Sequence, residues 1–411
     1  PSQAGAANYA YRASAYANFT ASDWIFFDGQ TRPFGAWEIP ASGSIITNAH
    51  QLQLIGANAS TLSGNYTLGG NIDLGETGRV TLGTPGSYSG MWAASGFVSL
   101  GTNGAGLSWD GTTYRTIGTI TSGIFGFSGT FDGAGFTLSN IGINRQTMSN
   151  TGLFGTVSGT LRNLTVTGTV TGGNATGGVV GMLIGGPTTS TSGLSPRIDN
   201  VHSAVTVYGG NLVGGLVGSA TQRSTVTGTA SGNVTGTNTV GGLIGSANRS
   251  TVTGSATGRV SGVGYVGGLI GQQFAGTSTG YATGAVQGTT AVGGLIGVLD
   301  GTAAEPGTAN ATRAVQGPST SNRNFGRVTT NGTANTTAQS SAGQAVPFNA
   351  SASGPVTTTV TAIADMAGQT HLGSLIAVLG RAVAMARSIQ TDLGGAVNTT
   401  PTMDLSIPDS M

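Results

Sequence analysis

Val240-Gly241-Gly242-Leu243-Ile244-Gly245 returns as Val266-Gly267-Gly268-Leu269-Ile270-Gly271 and again as Val292-Gly293-Gly294-Leu295-Ile296-Gly297, one phrase every 26 residues. A variant, Val213-Gly214-Gly215-Leu216-Val217-Gly218, stands 27 residues before the first of these. Self-similarity at such a period marks a solenoid or propeller, in which a unit buries its apolar face only when a neighbour stacks on it.

Working outward, aligned copies start at Asn150, Thr176, Val213, Val240, Val266 and Val292, with steps of 26, 37, 27, 26 and 26 residues. The long step holds an excess of about 11 residues between 185 and 197, which reads as a loop bulging from one coil. Gly186, Pro187, Pro196 and Arg197 mark it as a candidate interaction loop, since loops on rigid scaffolds often carry binding. Each phrase is followed by a Thr-Val-Thr-Gly strand, as at Thr225-Val226-Thr227-Gly228 and Thr251-Val252-Thr253-Gly254. Period-two alternation points Val inward and both Thr outward. A third short strand, near Asn233-Val234-Thr235 or Arg259-Val260-Ser261, completes the coil. The fold class is therefore all-β, a parallel β-helix with coils of about 26 residues.

Successive coils climb about 4.8 Å. Val240, Val266 and Val292 then stack, as do Leu243, Leu269 and Leu295. Ile244, Ile270 and Ile296 are expected round the next corner or facing outward. Each interior side chain contributes roughly 1.5–3 kcal/mol on burial. Corner glycines are expected to supply positive φ for the tight turns.

Residues 1–45 read as an N-terminal cap, with a buried strand at Trp24-Ile25-Phe26-Phe27 and a turn over 28–34. A short helix is predicted over 47–55 and a strand over 65–74. Residues 76–122 read as long loops or an inserted hairpin carrying Tyr88, Trp92, Trp109 and Tyr114. The β-helix spans 46–300, with Phe131, Leu138 and Ile141 among its early inward positions. Residues 301–360, rich in Thr, Asn and Ala, read as irregular final coils or a stalk. Over 361–411 the pattern predicts an amphipathic helix and a tail. Leu372, Leu375, Ile376, Leu379 and Val383 form the helix's apolar stripe, a capping or assembly surface.

Composition narrows the chemistry. Charged residues make up 7% of the chain, the net charge is +1, and the cations are scattered Arg with no Lys, which argues against nucleic acid as a partner. No run reaches the 18 or so apolar residues of a membrane helix. There is no Cys, so neither a disulfide framework nor a thiolate metal site is available. No charged segment followed by an apolar one opens the chain, so an exported protein would contain it as a processed or partial form. The three histidines, His50, His202 and His371, form no zinc signature, and no cofactor is implied. Asp199-Asn200-Val201-His202-Ser203 holds triad residue types, but alternation sets His202 opposite Asp199 and Ser203. Asp73, Glu76, Asp110 and Asp132 are the carboxylates available to a glycosidase or polysaccharide lyase, and none recurs as a close pair. Calcium-binding nonapeptide repeats need an Asp in every coil, and these coils have none. Stacked Thr-x-Thr pairs would make the hydroxyl array of an ice-binding solenoid, here expected to be two or three coils tall and broken at Thr277-Ser278-Thr279.

The repeated phrase resembles the GLUG motif of bacterial surface proteins and some immunoglobulin A peptidases, without the peptidase's zinc motif. A broader likeness covers roughly 28–300. It runs through Gly29-Gln30-Thr31-Arg32-Pro33-Phe34, Ile46-Thr47-Asn48-Ala49-His50-Gln51-Leu52-Gln53-Leu54, Tyr66-Thr67-Leu68 to Asn71-Ile72-Asp73, Gly96-Phe97-Val98, Gly129-Thr130-Phe131-Asp132-Gly133 and Gly152-Leu153-Phe154-Gly155. This order is similar to filamentous-haemagglutinin-like passengers of two-partner secretion, with Phe136 where those proteins usually have His. The resemblance implies a secreted, right-handed β-helix at the bacterial cell surface, serving adhesion, biofilm or fibre formation. It further implies an outer-membrane secretion partner, self-association or glycan or protein surfaces as ligands, and no catalytic residues.

Overall fold

Strand pairing in the computed structural model runs from coil to coil and is parallel throughout the repeat region. Residues 11–16, 18–20, 22–25, 27–78, 91–101, 107–109, 114–116, 126–185, 195–301, 307–311, 325–329, 332–341, 350–353, 357–365 and 398–406 are described. The molecule is a parallel β-solenoid. Thr176–Gly177, Leu212–Gly214, Thr239–Gly241, Tyr265–Gly267 and Ala291–Gly293 form one five-stranded sheet. Val213 pairs with Val240, Val240 with Val266 and Val266 with Val292, the register set by the repeat. The first copy slips by one residue: Thr151, not Asn150, pairs with Thr176.

Each phrase turns a corner. The strand Thr239–Gly241 ends, Gly242 and Leu243 bend, and Ile244–Ala256 leaves along a second sheet. Val240, Leu243 and Ile244 are fully buried, as are Val266, Leu269 and Ile270, while Val292, Leu295 and Ile296 are nearly or fully so. The isoleucines therefore face inward, because the corner lets two adjacent side chains enter the same core from different sides.

The glycines have a different task from the one expected. None of the phrase glycines has positive φ; among described residues the left-handed positions include Asn163, Asn200, Arg223, Arg249 and Ala275. Asn reaches this region at little cost through local hydrogen bonds. At Arg249 the guanidinium packs over the Phe274 ring, 5.4 Å from its centroid. The phrase glycines are required instead by the closeness of successive coils. A Cβ on Gly268 would lie 2.0 Å from the Gly294 carbonyl oxygen and 2.7 Å from the Ala282 Cβ, and Gly242 faces the Gly268 oxygen at 2.1 Å in the same way. Gly268→Ala is expected to destabilise the stack by about 1–3 kcal/mol, as over-packing does, because a backbone atom must move. A urea midpoint equal to wild type would refute this.

The stack continues past the last phrase. Ile296 pairs with Phe325 and Phe325 with Ala350, while Gly276, Gly307 and Gly332 align in a parallel column. Residues 301–360 thus include further coils. Thr357–Asp365, which contains Ile363, is a strand, and Asn398–Ser406, expected as tail, pairs with it in parallel. The helix positions Leu372, Leu375, Ile376, Leu379 and Val383 lie outside the described residues, as do Gly186 and Pro187.

The amino-terminal end is closed by aromatic side chains. Trp24–Ile25 pairs antiparallel with Phe34–Gly35, and Trp24 and Ile25 are half-buried rather than buried. The predicted helix forms at Ala49–Leu54, capped by the Asn48 side chain accepting from the Gln51 N–H, and a second short helix follows at Ala59–Leu62. The expected inserted hairpin corresponds to Leu107–Trp109 paired antiparallel with Tyr114–Thr116. Residues 91–101 of the same insertion fold back onto the solenoid through two buried polar clasps. Gln53 donates to the Val98 carbonyl (2.9 Å) and accepts from the Trp92 indole N–H (2.8 Å) and the Val98 N–H (3.0 Å). Arg145 donates to the carbonyls of Gly96 and Phe97, both at 3.2 Å, and to the Gln30 amide oxygen at 2.6 Å. Burial pulls its guanidinium down to about 10, and all three of these acceptors are neutral.

Candidate binding face

Along the strand after each corner, side chains alternate in and out, and parallel pairing stacks the outward ones into columns. One column runs Thr130, Thr160, Arg197, Thr225, Thr251, Thr277, Thr308, and the backbone register carries on to residue 333. Its neighbour, two residues on, runs Asp132, Arg162, Asp199, Thr227, Thr253, Thr279, and the backbone register carries on through residues 310, 335, 359 and 400. Thr-x-Thr pairing is not broken at Thr277-Ser278-Thr279. Ser278 takes the inward place of Val252, is buried, and donates to the Gln273 side-chain oxygen at 2.6 Å. Gln273, also buried, donates in turn to the Thr308 and Gly276 carbonyls. A polar core pair therefore preserves the outer hydroxyl register, and the first column extends past the third coil to Thr308.

The face has two halves. Toward the amino terminus it is charged: Arg162 Nε lies 2.8 Å from Asp132 Oδ2, and Arg197 pairs with Asp199 at 3.1 Å. From Thr225 to Thr308 the described outward positions of both columns are all Thr. The exposed ion pairs of the charged half add little stability.

Pro196 is buried and Arg197 opens the strand Arg197–Tyr208, so these two members of the predicted loop belong to the coil itself. The triad residue types are dispersed. Asn200, at φ 52°, interrupts the strict alternation, leaving Asp199 and His202 outward and Val201 and Ser203 inward. Ser203 donates to the Gly215 carbonyl at 2.6 Å, and the His202 ring bonds with Thr229 and Ser231.

The carboxylates are held by coil-to-coil bonds. Asn163 donates to Asp132 Oδ1 (3.2 Å) and accepts from Asn200 (3.1 Å), while Asn140 donates to Asp73 (3.0 Å). Burial pushes the Asp132 carboxyl up, but the Ala134 N–H, the Asn163 amide and the Arg162 guanidinium outweigh it and hold the group below the ordinary carboxylate value. Such a group stays ionised and is poorly suited to act as a general acid. Glu76 lies in a 3-10 turn, and Asp110 is outside the described residues. Among the described residues no three His, Asp or Glu side chains cluster as a metal site would require.

No known protein family, curated protein or solved structure matches the chain.

A lowered folded-state pKa stabilises above the unfolded value, near 3.9, and that contribution is lost as pH falls through the folded value. Asp132→Asn is therefore expected to flatten the fall of the urea midpoint below about pH 4. An unchanged pH profile would show that the Asp132 contacts are energetically idle.

Proposed function

We propose that this protein is an extracellular bacterial scaffold of the adhesive or fibre-forming kind, acting through an extended face rather than a pocket. The reading rests on one observation: outward Thr positions remain in register from Thr225 through Thr308 on a parallel stack. A flat array of fixed hydroxyls and methyls offers many weak contacts to a large surface, and their effect multiplies by multivalency. The resemblance to two-partner secretion passengers agrees with export. The held Asp132 and the dispersed Asp199, His202 and Ser203 favour this reading over a glycosidase or lyase.

The test is to express the full chain on a non-adherent bacterium, measure attachment to abiotic and cell surfaces, and examine purified chain by electron microscopy. Attachment or filaments support the scaffold. A chain that remains monomeric and confers no attachment refutes it.

A second reading, ice binding, is favoured by the same columns, because parallel coils repeat hydroxyls at about 4.8 Å along the stack and about 6.6 Å along each strand. Shaping of ice crystals by the purified chain, lost in Thr253→Tyr, distinguishes it.

A further inference from the structure

We infer that Trp37, at the amino-terminal cap, is a stacking platform for the sugar rings of a neutral polysaccharide, an assignment that rests on the adhesive reading and names its ligand class. Trp37 is 70% exposed, the most open of the exposed large apolar side chains among the described residues. It is nevertheless fixed. Its indole lies across the backbone of Gly35, so closely that a Cβ there would sit 2.4 Å from Cε2 and 2.8 Å from Cδ2. Trp24 meets it at a centroid distance of 5.2 Å and 71°, and Phe19 packs on Trp24 at 4.6 Å. The next residue is anchored too, Glu38 accepting from the Gly35 N–H at 3.0 Å and pairing with His50 at 3.2 Å. An indole seated on glycine is held in place before any ligand arrives, which lowers the ordering cost of binding.

The surroundings select the partner. Asp23 is exposed, directly precedes Trp24, which packs on the ring, and its carbonyl accepts from the N–H of Ala36, the residue before Trp37, at 2.8 Å. Its carboxylate gathers the hydroxyls of Thr20 and Ser22. A sugar ring presents an apolar C–H face bordered by hydroxyl donors, which suits an aromatic face bordered by carboxylate and hydroxyl acceptors. The exposed Asp23 carboxylate, on the residue before Trp24, disfavours phosphate-bearing and other anionic ligands. Trp24 already occupies one side of Trp37 in edge contact, which leaves no cage between the two indoles for an ammonium group.

The experiment measures binding of the full chain to cellohexaose, chitohexaose and laminarihexaose by calorimetry, with Trp37→Ala and Trp37→Tyr as variants and circular dichroism to verify folding. The expected result is binding to at least one hexasaccharide, weakened tenfold or more by Trp37→Ala and largely retained by Trp37→Tyr. Failure to bind any of the three, or Trp37→Ala binding like wild type, overturns the proposal. So does a monomer–dimer equilibrium abolished by Trp37→Ala while sugar binding is unaffected, which would make the ring a contact between copies. Surface attachment by wild type without sugar binding sinks the platform and leaves the adhesive reading standing. Trp37-dependent sugar binding without attachment does the opposite.

Discussion

Gln53→Met is expected to loosen the amino-terminal cap by several kcal/mol, the largest effect of any change considered. Gln53 is fully buried and satisfies three groups at once: the Val98 carbonyl, the Val98 N–H and the Trp92 indole N–H. Met fills a similar volume, so little cavity term arises and the loss is almost purely polar. Each buried donor or acceptor left unpaired costs about 1–3 kcal/mol. Because coils interact mainly with their neighbours, the loss stays local. Hydrogen exchange is expected to accelerate over residues 91–101 and 49–54, while amides beyond Val240 keep their protection. Uniform exchange, or none changed, would show that the clasp does not hold the inserted segment.

Leu269→Ala is expected to cost about 2–5 kcal/mol, the range for emptying a buried leucine site. Leu269 is completely buried. Collapse around the cavity is limited, because its neighbours are strands fixed on both sides by parallel pairing and by glycines with no side chain to move in. Leu243 and Leu295 occupy the equivalent sites one coil away, so the cavity interrupts a ladder rather than one isolated contact. The outward Thr253→Ala serves as control and is expected to remain within about 0.5 kcal/mol of wild type. Chemical denaturation is the measure. A second transition in Leu269→Ala, with the chain splitting into two unfolding units, would be consistent with the same ladder, whereas equal midpoints for Leu269→Ala and Thr253→Ala would refute it.

The coil is legible in the repeat. Repetition of Val240, Leu243 and Ile244 at 26-residue intervals specifies both the period and the core, because each copy must put the same volume at the same height in the stack. A Thr or Asn cap at 47–48 before helix-forming residues points to a helix start, and the fold uses Asn48. Alternation around Val226 and Val252 identified the outward threonines. Local patterns carry this information because strand alternation and helix capping are local physics.

The remaining features depend on contacts between segments distant in the chain. The glycines of the phrase look like turn residues in sequence, yet they are demanded by a neighbouring coil's backbone, which no local signal encodes. Ser278 in a valine place looks like a broken register until Gln273, five residues earlier, is seen to pair with it inside the core. Trp24, Trp37 and Trp92 are indistinguishable as tryptophans in a sequence. Packing buries Trp92 against Gln53, half-buries Trp24, and leaves Trp37 open on a bare glycine. Exposure is set by which other segments arrive to cover a side chain, and those segments come from elsewhere in the chain.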